Sequence, residues 1–231
     1  TSLASLQKIQ TKGVTIGVDK KVSNRKMYGF ALRVGHDNVS IGTSDTNLKT
    51  DMFSFTSYAT FPFNNDTFID THIGISSLKI DSRRKHEAGF LNGNRNGKQI
   101  FGSIVYGAEF SKEKLHISPY GRVDLGYTVL DEYLDSGKVS ALKYNEMKIE
   151  NSKASFGFII NNSIEKDNYK LKPFGRLEYG RGSVYSNDTI VSYFNAYPNT
   201  NYTHKGVREL SDNYRVSIGA DLDLGKNWYY T

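Results

Sequence analysis

Apolar and polar side chains alternate with a period of two along several long segments of this sequence. The clearest segments are Tyr214–Leu224, Ile117–Val129 and Leu171–Gly180. Because successive side chains of a β-strand point to opposite faces, this period predicts strands with one apolar and one polar face. Less regular alternation in six further segments brings the predicted total to about nine strands. These segments are Val14–Val18, Tyr28–Val34, Met52–Phe61, Phe68–Ser77, Ile100–Phe110 and Ala154–Ile160.

Most of these strands approach the nine to eleven residues, roughly, that a tilted strand needs to cross a bilayer. Strands of ordinary globular proteins average closer to about five or six. The sequence contains no long apolar run, which argues against helical membrane spans, and its mean hydropathy is −0.52. In a barrel, lipid-facing and lumen-facing residues alternate, so that average is uninformative. The fold class predicted is all-β, an antiparallel up-and-down transmembrane β-barrel.

The connections between the predicted strands alternate between short and long. The short ones are Lys20–Lys26, Asn64–Thr67, Ser111–Lys114, Glu165–Asn168 and Gly225–Asn227. The long ones are Asp37–Asp51, Ser82–Lys98, Asp131–Asn151 and Arg181–Asn213. Alternate connections of a meander emerge at the same end, so all short turns lie at one end and all long loops at the other. Outer-membrane barrels have this asymmetry, with their long loops extracellular. We expect Ser82–Lys98 to be mobile and Arg181–Asn213 to cover the mouth or contact partners.

Composition narrows the classes of function. The chain has 231 residues, which we interpret as one domain over residues 1–231, and it has no Cys and therefore no disulfide. Its net charge of +6 is scattered and accompanies no nucleic-acid-binding motif, so we predict no nucleic-acid partner. Its five His show no Ser/His/Asp or metal-ligand spacing. We therefore expect no enzyme activity, catalytic residue, cofactor or metal; an outer-membrane hydrolase is the enzymatic alternative.

A series of short motifs resembles, in order, the β-domain of autotransporters, the C-terminal translocator of type V secretion in Gram-negative bacteria. The motifs are Gly13–Asp19, Tyr28–Leu32, Tyr58–Ala59, Tyr106–Phe110, Pro119–Arg122, Asp131–Glu132, Ser155–Phe158 and Pro173–Arg176. The resemblance implies an outer-membrane barrel that assists export and surface display of its own N-terminal passenger. It also implies three kinds of partner: the passenger, the barrel-assembly machinery, and outer-membrane lipid with lipopolysaccharide.

Barrels of the resembled family are expected to have twelve strands and a terminal aromatic residue. This chain ends at Thr231, just after Trp228–Tyr230 opens a new strand, and no secretory signal stands at Thr1. We therefore expect a domain truncated at both ends, with about nine complete strands and the start of another. A short amphipathic helix over Ser2–Gln10 is an alternative for the N-terminal segment.

Charged residues on the polar faces are predicted to point into the lumen, because a charge facing lipid costs about 2–4 kcal/mol near mid-membrane. They are Arg33, Glu109, Arg122, Asp124, Arg176, Glu178, Arg215, Asp221 and Asp223. Two interpretations stay open: a polar conduit for an extended passenger or its helical plug, and a charge network that only stabilises the lumen. Paired Asp221 and Asp223 could also assist cleavage inside the barrel, although no cleavage-site residues are recognisable. The outward aromatics Phe110, Tyr127, Tyr179 and Tyr214 are predicted to lie at the membrane interfaces.

Two other functions compete with the translocator. A general porin-like barrel shares the same strand pattern, and a soluble all-β binding module shares its periodicity. A passenger sequence upstream would separate the translocator from the porin. Heat-modifiable migration in detergent would separate either barrel from the soluble module.

Overall fold

The part of the chain that the structure describes is folded almost entirely into β-strands. The structure, a computed structural model, describes residues 7–23, 26–41, 46–86, 89–136, 141–166, 169–193, 200–223 and 229–230. The strands within these ranges are β1 Gln7–Ser23, β2 Lys26–Ile41, β3 Thr46–Pro62, β4 Thr67–His86, β5 Gly89–Ala108, β6 Phe110–Lys112, β7 Leu115–Leu130, β8 Tyr133–Leu134, β9 Leu142–Tyr144, β10 Met147–Asn162, β11 Ile164–Lys166, β12 Tyr169–Ser186, β13 Thr189–Tyr193, β14 Asn201–His204, β15 Arg208–Asp223 and β16 Tyr229–Tyr230. In the described part of the chain, no helix is long and apolar enough to cross a membrane.

The main sheet is an antiparallel meander in the order β1-β2-β3-β4-β5-β7-β10-β12-β15-β16, in which β6 and β11 also pair with β7 and β12. Its nine long strands have 16 to 20 residues each. Each predicted segment lies in a different long strand, apart from a residue or two at its end. The predicted all-β antiparallel fold is confirmed, with nine long strands and the start of a further one in the described residues.

The two faces of the sheet reverse the burial pattern of a soluble protein. Apolar side chains on one face are exposed, among them Leu125 at 59% and Ile218 at 88%. Polar side chains on the other face are buried, among them Ser54 at 3% and Glu178 at 6%. The sheet curls into half a barrel, with the buried polar residues on its concave face. An apolar convex face is the arrangement of a wall that borders lipid.

Rings on the concave face lie over glycines of the adjacent strand. The ring of Phe174 covers its direct partner Gly219, where an added Cβ would lie 2.5 Å from Cζ. The same arrangement recurs at four more directly paired positions: Tyr58 with Gly29, Phe101 with Gly74, Phe68 with Gly107 and Tyr120 with Gly157. A ring that fills the space above a glycine lets neighbouring strands curl tightly and fixes their register.

The predicted loop Ser82–Lys98 is wrong, because β4 continues to His86 and β5 begins at Gly89. The pairing runs without a register shift, and Ser82 lies opposite Gly93. Polar side chains occupy the outer face beyond the lipid, so the ordinary apolar-polar contrast disappears there. The alternation of Leu91, Gly93, Arg95 and Gly97 with Asn and Lys was the available signal. The predicted loop Asp37–Asp51 is wrong in the same way, because β2 runs to Ile41 and β3 starts at Thr46.

The other two predicted long loops are shorter than expected and partly strand. Strand β12 extends to Ser186, and β10 and β15 begin at Met147 and Arg208. Between them, residues of both connections form a second sheet in the order β14-β13-β9-β8, which we call the cap.

Two of the five predicted short connections are confirmed, two begin later than predicted because β1 runs to Ser23 and β11 to Lys166, and one lies outside the described residues. The two confirmed connections have bends at residues 63–66 and a turn at residues 113–114. Residues 24–25, 167–168 and 225–227 lie outside the described residues. The alternative helix over Ser2–Gln10 is wrong for residues 7–10, which belong to β1, and its remainder lies outside the described residues.

The polar concave face and the cap as candidate functional site

Most of the charged residues predicted to point into the lumen lie on the concave face. By strand alternation, this face carries Arg33, Arg122, Asp124, Arg176, Glu178, Arg215 and Asp221. Glu109 lies between β5 and β6, where its N–H donates to the carbonyl of Asp66 at 2.7 Å. Its exposed side chain lines the cavity at the short-turn end of the concave face. The side chain of Asp223 lies outside the described residues. That this face borders a water-filled lumen stays a prediction.

Glu178 is the centre of a cluster that joins four consecutive strands. Its Oε2 accepts a hydrogen bond of 2.7 Å from Tyr120 Oη, and its Oε1 one of 3.3 Å from Lys153 Nζ. Arg215 Nη1 lies 4.0 Å from the same Oε1. Because the carboxylate is almost fully buried, its charge needs these partners.

A second ion pair lies on the same face. Arg122 and Asp124 are two residues apart on β7 and therefore point the same way, with Arg122 Nη2 2.6 Å from Asp124 Oδ1. The guanidinium of Arg176 lies 6.0 Å from the centre of the Tyr120 ring. These contacts join charged side chains along the concave face, and both interpretations of this face, a polar conduit and a stabilising charge network, stay open.

At the end with the short turns, the concave face opens into a cavity of about 720 Å³. Its lining includes Glu109, Lys172, Arg176 and Asp221. Asp221 is the direct cross-strand partner of Lys172, and Lys170 and Arg176 also line this cavity. No three His, Asp or Glu side chains in the described ranges are grouped so that they could hold a metal ion.

At the opposite end, the cap packs against the concave side of the β4–β5 hairpin. Leu91 and Ala141 are buried there, at 4% and 2% exposure. The ring of Tyr133 occupies the space that a side chain at Gly93 would need. Arg84 Nη2 donates to Asp135 Oδ2 at 2.8 Å; burial raises the pKa of this carboxyl, and Arg84 opposes the shift.

Arg95 fastens the cap to the main sheet. Its Nη2 donates to the carbonyls of Leu130 and Asn145, each at 3.0 Å, and its Nε donates to the carbonyl of Asp131 at 2.5 Å. Tyr133 above it stacks on Tyr144 with ring centres 4.6 Å apart. One side chain thus binds backbone from both ends of the β7–β10 connection. Sequence reasoning missed this role because it assigned Arg95 to a mobile loop.

The convex face has a sharp upper boundary. On eight of the nine long strands, the outward row changes from apolar or uncharged residues to a titratable residue at the end nearer the cap. These residues are Lys12, His36, Asp51, Lys79, Lys98, Glu150, Arg181 and Asp212. On β12 the apolar row spans Leu171–Tyr179, about 26 Å along the strand and about 20 Å after a tilt of about 40°. That height is close to the apolar band of an outer-membrane barrel, roughly 25 Å.

Exposed aromatic residues lie at the edges of this band. Tyr127 and Tyr214 are next to its upper boundary, at 38% and 79% exposure, and Phe110 is near the short turns at 60%. Tyr179 is half-buried because its ring packs against Phe156 and Tyr214. These positions agree with the predicted interfacial aromatics.

Comparison with known proteins gives concordant results. The family model described as autotransporter beta-domain matches residues 2–231. The translocator domain of autotransporter NalP from Neisseria meningitidis has a similar structure, with a TM-score of 0.66, 15% identity, and coverage of 96% of this chain and 81% of NalP's. The beta domain of the Bordetella autotransporter BrkA has a TM-score of 0.64, 12% identity, and coverage of 93% and 90%. At these identities the two structures establish the fold alone. No curated protein matches the sequence significantly.

Proposed function

The chain belongs to the autotransporter β-domain family, and we propose that its barrel exports a linked N-terminal passenger through the outer membrane and then anchors it at the cell surface. The observation that carries this proposal is the reversed burial of the wall. Ile218 is 88% exposed on β15, while Glu178 is 6% exposed on the neighbouring strand β12. A wall that is apolar outside and polar inside separates a translocating chain from lipid.

The mechanism is physical rather than covalent. An unfolded passenger carries backbone N–H and C=O groups that require water or hydrogen-bond partners at every residue. The concave face offers such an environment. Its buried carboxylate Glu178 is already hydrogen-bonded to Tyr120 and Lys153. It therefore does not present an unpaired charge that would bind the passenger during export. We propose no catalytic step for the barrel.

We propose two further partners of the barrel. A backbone N–H or C=O group without a hydrogen-bond partner inside lipid costs several kcal/mol, so a strand cannot enter the membrane alone. We propose that barrel-assembly machinery protects the strands until they are paired. We also propose that outer-membrane lipid, including lipopolysaccharide, surrounds the convex face.

The proposed orientation places the cap and the long connections outside the cell. Because the chain has no Cys, single cysteines can report on both ends. Glu132→Cys, next to the cap, is expected to react with a membrane-impermeant maleimide on intact cells. Asp66→Cys, at a short turn, is expected to react only after the outer membrane is permeabilised. The opposite pattern contradicts the orientation.

The central test uses the full-length gene product carrying an epitope-tagged passenger. We expect heat-modifiable migration, recovery in the outer-membrane fraction, and removal of the passenger tag when protease is added to intact cells. A folded barrel in the outer membrane with a protected passenger would contradict export. Increased uptake of small solutes in that case would favour the porin-like alternative. Recovery of a folded monomer without detergent would favour the soluble module.

A further inference from the structure

A groove of about 890 Å³ lies beyond the apolar band, where strands β3, β4 and β5 extend toward the cap. Its lining includes Lys49, Asp81, Arg83, Phe90, Asn92 and Asn94. Strand pairing from β3 to β5 contains no register shift. These six side chains therefore belong to the face that carries the exposed residues Phe53, Ile75 and Ile100.

The lining of this groove has two cationic side chains, Lys49 and Arg83, and one anionic side chain, Asp81. Lys49 lies directly opposite Asp81, and Arg83 stands two residues from Asp81 on the same face. Lys79 stands two residues to the other side of Asp81 on this face and lines a separate cavity. The Asp81 carboxylate accepts a hydrogen bond of 2.5 Å from Asn94 Nδ2. Within the ranges that the structure describes, Lys49, Lys79 and Arg83 take part in no ion pair. Their positive charge is available to an anionic ligand.

The other groups in the groove suit a phosphorylated sugar. The guanidinium of Arg83 lies 3.7 Å from the centre of the Phe90 ring, which holds its planar fork while leaving N–H donors free for phosphate. Asn92 is the direct partner of Arg83 and Asn94 that of Asp81. Amide side chains donate to and accept from hydroxyl groups.

The position of the groove identifies the ligand more closely. Lys49 and Lys79 are each four residues from an apolar residue of the same outward row, Phe53 and Ile75, about 13 Å along the strand. A lipid could therefore place its acyl chains on the apolar wall and its headgroup in the groove. We propose that the groove binds the phosphorylated glucosamine headgroup of lipopolysaccharide. The proposal rests on the proposed function, which places this end of the barrel in the outer leaflet.

The test titrates the full-length protein, folded in detergent, with lipid A that carries its phosphates. Enzymatically dephosphorylated lipid A and phosphatidylglycerol serve as comparison ligands. We expect phosphorylated lipid A to bind about tenfold more tightly than either, because charge-assisted bonds to phosphate carry the affinity. The double variant Lys49→Gln/Arg83→Gln is expected to lose about tenfold, and Arg83→Lys to lose less because it keeps the charge.

The matched control is Lys20→Gln/Lys26→Gln, which removes two cations from the outward rows of β1 and β2 near the short turns. It is expected to change affinity less than about twofold. Heat-modifiable migration establishes that each variant is folded. If the double variant does not fold, the single variant Lys49→Gln replaces it, and its affinity for phosphorylated lipid A is expected to fall about threefold. Equal loss in the control, equal binding of dephosphorylated lipid A, or equal binding of phosphatidylglycerol overturns the proposal.

Passenger display by the same strains distinguishes failure of the proposed export function from failure of the proposed lipopolysaccharide site. The groove lies off the concave face, so the double variant is expected to display its passenger as the unchanged protein does. Failure of the unchanged protein to display a passenger contradicts the proposed function. Failure to distinguish the three lipids contradicts the groove alone.

Discussion

Tyr120 donates a hydrogen bond of 2.7 Å to Glu178 although strand β10 lies between the strands that carry the two residues. The strands on either side of β10 are about 9.6 Å apart in a flat sheet. The Tyr120 ring crosses β10 over Gly157, its direct partner, where an added Cβ would lie 2.8 Å from the phenolic oxygen. A glycine, a long aromatic side chain and a buried carboxylate thus act together to set the curvature of three strands.

Removing the phenolic oxygen is expected to destabilise the wall. Tyr120→Phe leaves the buried Glu178 carboxylate without its shortest hydrogen bond, and such bonds to charged groups contribute about 1.5–3 kcal/mol. Urea unfolding of the full-length protein in detergent, followed by heat-modifiable migration, measures the loss. Tyr28→Phe, on an exposed ring of the convex face, is the matched control and is expected to cost less than about 0.5 kcal/mol. Equal effects of the two substitutions would refute the role of the Tyr120–Glu178 bond.

Adding one methyl group at Gly157 is expected to disrupt the same crossing. The new Cβ would lie 2.5 Å from the carbonyl oxygen of Leu177 and 2.8 Å from the Tyr120 ring, so Gly157→Ala should cost about 1–3 kcal/mol. At Gly175 no atom of the described residues, apart from Gly175 itself and its two chain neighbours, lies within 4 Å of an added Cβ. Gly175→Ala is therefore expected to be neutral or to stabilise by up to about 1 kcal/mol, by restricting the unfolded chain. Unfolding midpoints of the two variants that coincide would contradict this packing argument.

The sequence was sufficient to predict the lipid-bordering part of the wall. There one face meets lipid and the other meets polar groups, so the period of two is visible, as at Tyr214–Leu222. Beyond the lipid both faces are polar and the contrast is lost, which is why the extension of β4 and β5 was missed. The Tyr120–Glu178 bond joins residues 58 positions apart. Alternation places both on the polar face, but only the register of β7, β10 and β12 brings them together.

The cap is expected to loosen when Arg95 is truncated. Arg95→Ala removes the hydrogen bonds that join β5 to three backbone carbonyls at the two ends of the β7–β10 connection. These carbonyls then lack this donor. Limited proteolysis of the folded protein should cleave the β7–β10 connection at least about tenfold faster, since cleavage follows the population of the open form. Lys143→Ala is the control, because its ion pair with Glu132 is exposed on both sides. Unchanged cleavage of the Arg95→Ala variant would show that the cap is held by other contacts.

The stability of the cap is expected to fall as the pH rises. Burial raises the pKa of Asp135 above the ordinary value of an aspartate, against the opposing effect of Arg84. The folded cap therefore holds the proton more tightly than the unfolded chain does. The resulting stabilisation is fully present below about pH 4, the ordinary aspartate value, and is lost as the pH rises through the raised pKa.

Hydrogen exchange of the β8 and β9 amides, corrected for the intrinsic pH dependence of exchange, measures this effect. Protection should decrease as the pH rises above about 4 in the unchanged protein, and the decrease should disappear in Asp135→Asn, which has no proton to release. Equal slopes for the two proteins would mean that Asp135 is not the titrating group.

The assignment of the two faces is tested by one substitution at adjacent positions. Ile104 is 60% exposed on the convex face, so Ile104→Arg places a charge against lipid at a cost of about 2–4 kcal/mol near mid-membrane. Val105 faces the other way, between its direct partners Asp70 on β4 and Arg122 on β7, so an arginine there stays on the polar side beside one carboxylate and one guanidinium. We expect Ile104→Arg to reduce the heat-modifiable form recovered from the outer membrane at least about fivefold, and Val105→Arg to reduce it less than about twofold. A larger effect at Val105 than at Ile104 would mean that the convex face does not border lipid, because only a lipid boundary penalises the outward arginine more than the inward one.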